Sequence, residues 1–179
     1  MSTITTRSRA TTVPSQRTPV TPAQPRTFVN ATLDRLTDVL TAHSITVLRV
    51  SLGLVFLVFA AFKFVAGASP AEDLAVATVD KLTFGLVSGD AALLLTAVTE
   101  TIIGLTLLTG RFVKVGLIVL AGALVGIMSP LVLFPDQMWS GNGPTLTGQY
   151  VFKDIVLASA GLVVAAHALG ARLRRTPSS

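Results

Sequence analysis

The chain has 179 residues, 51% of them hydrophobic and only 13% charged, with a mean hydropathy of +0.71. That balance excludes a soluble domain with an ordinary charged surface. The absence of cysteine excludes thiol–disulfide exchange, thiolate-bound zinc and cysteine-ligated iron–sulfur clusters. The net charge of +5 is not read as a nucleic-acid footprint, because the basic residues divide by membrane side instead of forming one patch.

Residues 1–27 are rich in Thr, Ser, Pro and Arg and almost lack large apolar side chains, so a disordered cytoplasmic tail is expected there. From Asn30, read as a helix N-cap, Val29, Leu33, Leu36 and Leu40 recur at helical spacing while Asp34, Arg35 and Asp38 lie elsewhere. This predicts an interfacial amphipathic helix over residues 28–43. Four apolar stretches of spanning length follow, at about 45–64, 91–109, 115–134 and 151–169. The fold class is therefore all-α, an integral membrane four-helix bundle over residues 44–170. A signal peptide cleaved near Ala66-Gly67-Ala68 fits less well, since the first apolar run exceeds a signal h-region and a long polar segment precedes it; an uncleaved span is expected.

Between spans one and two, Ser69-Pro70-Ala71-Glu72 has a capping-box pattern with proline at the first helical position. Ala75, Val79, Leu82 and Leu86 continue it as an apolar stripe, predicting an outer-side amphipathic helix against the bundle mouth. Gly110-Arg111 joins spans two and three tightly. In span three, Gly122 and Gly126 suit close helix approach, and Pro130 predicts a kink because its ring removes the bond to the Gly126 carbonyl. Trp139, within the loop from Pro135 to Gln149, and Tyr150, at its end, are expected at headgroup level.

Positive charge sorts the two sides. Arg7, Arg9, Arg17, Arg26 and Arg35 precede span one, Arg111 and Lys114 lie between spans two and three, and Arg172, Arg174 and Arg175 sit in a basic tail over 171–179. The other side carries Glu72, Asp73, Asp80, Asp90 and Asp136, with Lys81 its one basic residue well clear of the spans. The positive-inside rule thus places both termini in the cytoplasm, with an even number of crossings and the lipid bilayer as the first partner.

Glu100, near the middle of the second span, is the most informative residue. A lone charge at that depth costs roughly 2.5–3.5 kcal/mol on insertion scales, so it needs a partner, a proton or a wet cavity. Helical spacing lines up Arg49, Gly53, Phe56, Ala60 and Lys63 in span one, Thr96, Glu100 and Gly104 in span two, and Asp154, Ala158, Gly161 and Ala165 in span four. Small residues beside a charge mark helix interfaces. Lys63, Glu100 and Asp154 are therefore expected to converge in the outer third as a ligand- or proton-handling cluster, Lys63 holding Glu100 ionised.

Plainer readings stand beside these. Lys63 can snorkel to the headgroups, and Lys153 fits an anchor better than a site residue. Arg49 is read as an anchor at the cytoplasmic boundary, to lipid phosphate. Glu100 can make a purely structural interhelical bond, and Asp154 can cap the free amides that begin span four. A bis-histidine haem on His43 and His167 is weighed and set aside, since two boundary histidines need no ligand to explain them. No catalytic triad, phosphate-cradling loop or metal-ligand spacing stands out.

Taken in order, LRVSLGLVFLVFAAFKF ending at Lys63-Phe64, Glu100 followed by Gly104, SPLVLFPDQMW, and PTLTGQYVFKDIVL entering span four resemble the DoxX-like superfamily of small four-helix membrane proteins, and specifically its YkgB/RclC inner-membrane branch. The match covers most of residues 47–165. It implies Lys63, Glu100, Lys153 and Asp154 at the family's polar positions and a role in resistance to oxidative or reactive-chlorine stress, with quinone-linked oxidoreductase complexes among more distant relatives. Gln149 and Tyr150 depart from the pattern, standing where a Gly-Arg pair is expected, and the segment after Phe64 lacks the usual acidic and aromatic residues.

Three functions follow as expectations. The first is support of redox homeostasis, with the polar cluster binding a quinone head group or another small polar molecule. The second is a small proton-coupled permease titrating at Glu100, opposed by the short chain and the lack of repeats. The third is a non-catalytic scaffold whose basic tails dock a soluble redox enzyme. An enzyme activity is not expected of the chain itself except as an accessory subunit, and a homo-oligomer is an open partner.

Overall fold

A computed structural model describes residues 28–65 and 67–174. The expected N-terminal tail and the last residues of the basic C-terminal tail lie outside them. Among the described residues the protein is a helical membrane bundle whose only extended segment is a small hairpin, with four helical stretches long and apolar enough to cross a bilayer: Phe28–Lys63, Gly89–Thr109, Val113–Leu133 and Leu146–Ala168.

Helix α1 (Phe28–Lys63) runs for 36 residues, roughly 54 Å at 1.5 Å per residue. The segment expected as a separate interfacial helix is its first half, and Asn30 lies inside it. The cause is simple: no proline interrupts the helix and its first glycine is Gly53, so nothing ends it before the span. Val29, Leu33, Leu36 and Leu40 remain exposed.

The loop after α1 leads to α2 (Glu72–Leu82). No capping box forms: the first helical residue is Glu72, whose amide donates to the Ser69 carbonyl and whose Oε2 accepts from Gly67 N at 3.0 Å. Gly67 takes a left-handed φ of 73°, open to glycine without strain. Ala75, Val79 and Leu82 face the bundle as expected, whereas Leu86 falls beyond the helix and is exposed. Lys81 Nζ donates to Leu133 O at 2.9 Å and lies 4.7 Å from the Phe134 ring centroid, so α2 is latched across the bundle end.

Helices α3 (Gly89–Thr109) and α4 (Val113–Met128) are joined by the expected tight turn, with Gly110 at φ 72° as the α3 C-cap. Beyond α4, the proline break is satisfied locally. Pro130 begins α5 (Pro130–Leu133), and the Gly126 carbonyl accepts from Ser129 Oγ at 2.7 Å and from Ser129 N. A neighbouring hydroxyl thus replaces the amide that proline lacks. Then come α6 (Pro135–Met138) and a two-stranded hairpin, β1 (Trp139–Ser140) pairing antiparallel with β2 (Gly143–Pro144). Trp139 stands exposed there.

Span four is not one smooth helix. Thr145 caps α7 (Leu146–Phe152) by accepting from Gly148 N at 3.0 Å. The chain then tightens at Lys153-Asp154, where Asp154 N donates to Val151 O and Val156 N to Lys153 O, before α8 (Ile155–Ala168) continues. Such three-residue bonding narrows a helix locally.

The most extensive packing joins α1 to α3. A Cβ on Gly53 would sit 2.8 Å from Leu108 N and 2.9 Å from Gly104 O, and one on Gly104 would sit 2.9 Å from Gly53 O. Backbone cannot move aside as a side chain can, so these two positions require glycine. Gly122 and Gly126 were expected to do the same but meet no neighbour within 4 Å; they open onto a cavity instead. Around the crossing, Leu52, Phe56, Ile103, Leu107, Leu120 and Val164 form an apolar core among α1, α3, α4 and α8. Gly104→Ala is expected to destabilise the bundle by about 1–3 kcal/mol and Gly122→Ala to leave it unchanged, measured as thermal unfolding in detergent; equal effects would refute this account of the crossing.

Candidate functional site

Near one end of the bundle, four turns of α1 beyond Arg49, Lys63 reaches across to α3. Its Nζ donates to both carboxylate oxygens of Glu100, 2.9 Å to Oε1 and 2.7 Å to Oε2. The side chains are 5% and 12% exposed, so Lys63 does not snorkel away. The i+3/i+4 stripe that brings Gly53, Phe56 and Ala60 to the interface also brings Lys63 there. On α3, Glu100 follows from Gly104 by one turn. The ammonium also lies 5.8 Å from the Phe59 ring centroid.

The pair lines one wall of a cavity of about 370 Å³. Apolar walls come from α1, α3, α4 and α8, including Val55, Phe56, Leu95, Ile127 and Leu157, while α2 covers it with Leu74, Ala75, Thr78 and Val79. Leu82, Leu95 and Gly122 line the cavity and are themselves exposed. The space therefore reaches the molecular surface where α2, α3 and α4 meet.

Asp154 is the third expected member. It lines the same cavity and is only 8% exposed, yet it is not ion-paired to Lys63, nor does it cap α8. Among the described residues no hydrogen bond reaches its carboxylate. The tightened Lys153-Asp154 turn explains why: it places Asp154 in a helical conformation at the cap position, φ −68° and ψ −10°, unlike the extended cap geometry that aims a side chain at the following amides.

Lys153 is exposed and holds its ammonium 3.7 Å from the Tyr150 ring centroid, outside the cavity. Tyr150 itself belongs to the site. It lines the cavity, meets the Phe59 ring edge-on at 6.2 Å, and is near enough to Asp154 and Glu100 to interact with both. Its expected role as a headgroup anchor missed this, because the amphipathic ring suits either place. The signal was present in the spacing, since Tyr150 precedes Asp154 by one turn.

No protein-family model, no curated protein and no solved structure matches the chain. The site is read from its own geometry.

Hydrogen-bond inventory defines what that geometry can hold. Thr78, Thr96 and Thr99 give their protons to carbonyls of their own helices, leaving oxygen lone pairs as acceptors. An ammonium has three donors; Lys63 commits two to Glu100 and keeps one. The cavity thus offers one ammonium N–H and a phenol as donors and a buried carboxylate as an acceptor, in apolar surroundings that strengthen each bond.

Arg49 lies at the other end of α1, about 21 Å from Lys63 at 1.5 Å per residue. Besides the lipid contact expected of it, it bonds within the bundle, its Nη1 donating to the carbonyls of Leu107 and Leu108. These belong to the last turn of α3, where orphan carbonyls and the helix dipole favour a cation. His43 contacts the Val39 carbonyl of its own helix at 3.1 Å, and His167 lines a separate cavity near Arg49.

Lys63→Met leaves a buried carboxylate unpaired and is expected to cost about 3–5 kcal/mol, whereas Lys63→Met combined with Glu100→Met costs much less. Unfolding of both variants in detergent measures this. Equal losses in the single and double variants exclude a mutual pair.

Proposed function

We propose that the protein binds a quinone-type amphipath in this cavity and supports redox homeostasis at the cytoplasmic membrane. One observation carries the reading: among the described residues no hydrogen bond reaches the Asp154 carboxylate, Lys63 keeps one N–H unused by Glu100, and both side chains border the same largely apolar cavity. A quinone carbonyl accepts from Lys63 or Tyr150, and a quinol hydroxyl donates to Asp154. A volume of about 370 Å³ lies in the lower part of the range for small-molecule sites and suits a head group with a short tail.

The surface opening favours a ligand that partitions into lipid, since its rim is Leu82, Leu95 and Gly122 rather than charged side chains. Packing favours binding over proton-coupled transport: the half of the bundle beyond the cavity is filled by Leu52, Ile103, Leu107, Leu120 and Val164, which offer no polar path. The similarity of the segments around Lys63, Glu100 and Asp154 to the DoxX-like superfamily supports the redox setting. Arg49, Arg111, Lys114, Arg172 and Arg174 gather toward the end remote from Lys63, which by the positive-inside rule supports a cytoplasmic orientation of that end.

The test uses full-length protein purified from membranes in mild detergent, extracted for quinones by mass spectrometry and titrated with decylubiquinone. Wild-type protein is expected to carry quinone. Gly126→Leu, which fills cavity space where an added Cβ meets nothing within 4 Å, is expected to lose it while unfolding normally. Asp154→Asn is expected to weaken binding by about tenfold or more, the scale of a hydrogen bond to a charged group. Undiminished quinone in the Gly126→Leu protein rules the cavity out as its site.

A further inference from the structure

A second cavity, of about 530 Å³, lies at the Arg49 end between α1, α4 and α8. Arg49, Lys114 and His167, one from each of these helices, line it together with Thr46; no carboxylate does. Its other walls are apolar: Ile45, Phe112, Val113, Val115, Val164 and Ala168. We propose that this cavity binds the phosphate head of an anionic phospholipid.

Donors converge on the space from independent elements. Arg49 commits Nη1 to the end of α3; among the described residues nothing takes its remaining guanidinium protons. Thr46 differs from Thr96, Thr99, Thr101 and Thr106, whose hydroxyls are given to their own helices, in having no hydrogen bond to any described residue. Val113, Lys114 and Val115, at the start of α4, also border the cavity. Their amides precede the first intrahelical bond, from Gly116 N to Phe112 O, and no side chain caps them. An uncapped helix start, a guanidinium and an ammonium around one space are the groups that recognise a phosphate.

The apolar walls decide between sources of that phosphate. A free ion would leave Phe112 and Val115, both exposed, uncovered beside it, whereas a phospholipid covers them with its glycerol and upper acyl chain. The net positive lining selects an anionic head group over a zwitterionic one. This site is separate from the quinone cavity, across the apolar core from it, and does not depend on that reading.

Native mass spectrometry of the full-length protein in neutral detergent tests the proposal, with palmitoyl-oleoyl phosphatidylglycerol, the matching phosphatidylcholine and inorganic phosphate as probes. Phosphatidylglycerol is expected to be retained in preference to phosphatidylcholine. Lys114→Gln is expected to weaken it about fivefold, the scale of one basic residue near a membrane surface, and addition of His167→Gln to weaken it further. Both side chains are exposed, so the fold is kept. Arg111→Gln is the control, because Arg111 is exposed at the same end without lining the cavity. Equal weakening by Arg111→Gln, or equal retention of the two lipids, overturns the site. Displacement of phosphatidylglycerol by millimolar inorganic phosphate overturns the lipid assignment in favour of a free anion.

Discussion

The contact between α1 and α3 organises the molecule, and it is fixed at three heights. Lys63 grips Glu100 at one end, Arg49 closes the carbonyl end of α3 at the other, and between them Gly53 and Gly104 bring the two backbones into contact. In lipid there is no hydrophobic drive to hold helices together, so packing and polar bonds must do it. Two cations on one helix, about four turns apart, also fix its rotation: turning α1 would break both bonds at once.

That arrangement divides the interior. Around the glycine crossing the helices are close and the space is filled by Leu52, Phe56, Ile103 and Leu107. Toward Lys63, Gly122 and Gly126 present no side chains, Pro130 ends the regular part of α4, and the tightened turn at Lys153-Asp154 interrupts span four. A cavity is what remains, covered by α2 and its Lys81 latch. The irregular backbone therefore occurs at the level of the polar groups, where it borders a cavity instead of lipid.

Much of this was legible in the sequence because a bilayer leaves a charged residue few options. Glu100 in an apolar run had to find a counter-charge, and the stripe through Gly53, Phe56 and Ala60 pointed to Lys63. Arg49 was harder. Sequence shows that an arginine lies at a boundary but not that a neighbouring helix ends there, so lipid phosphate and helix carbonyls looked equivalent as acceptors. Gly122 and Gly126 misled for a related reason: a glycine pair states that side chains are absent, and only the neighbouring helices determine whether backbone or empty space takes their place. The Ser69 capping pattern failed because Glu72 bonds back to the Gly67 amide. Tyr150 stood one turn before Asp154, but its ring suited a headgroup as well as a cavity, and the local turn at Asp154 depends on how α7 meets α8, which no periodicity encodes.

The surface opening at Leu82, Leu95 and Gly122 has a thermodynamic implication for whatever occupies the cavity. A guest arriving sideways is drawn from a reservoir of acyl chains, so occupancy follows its mole fraction among lipids and not its aqueous molarity. A sparingly soluble compound can then saturate the protein through modest contacts, and diluting the membranes in buffer would leave it in place.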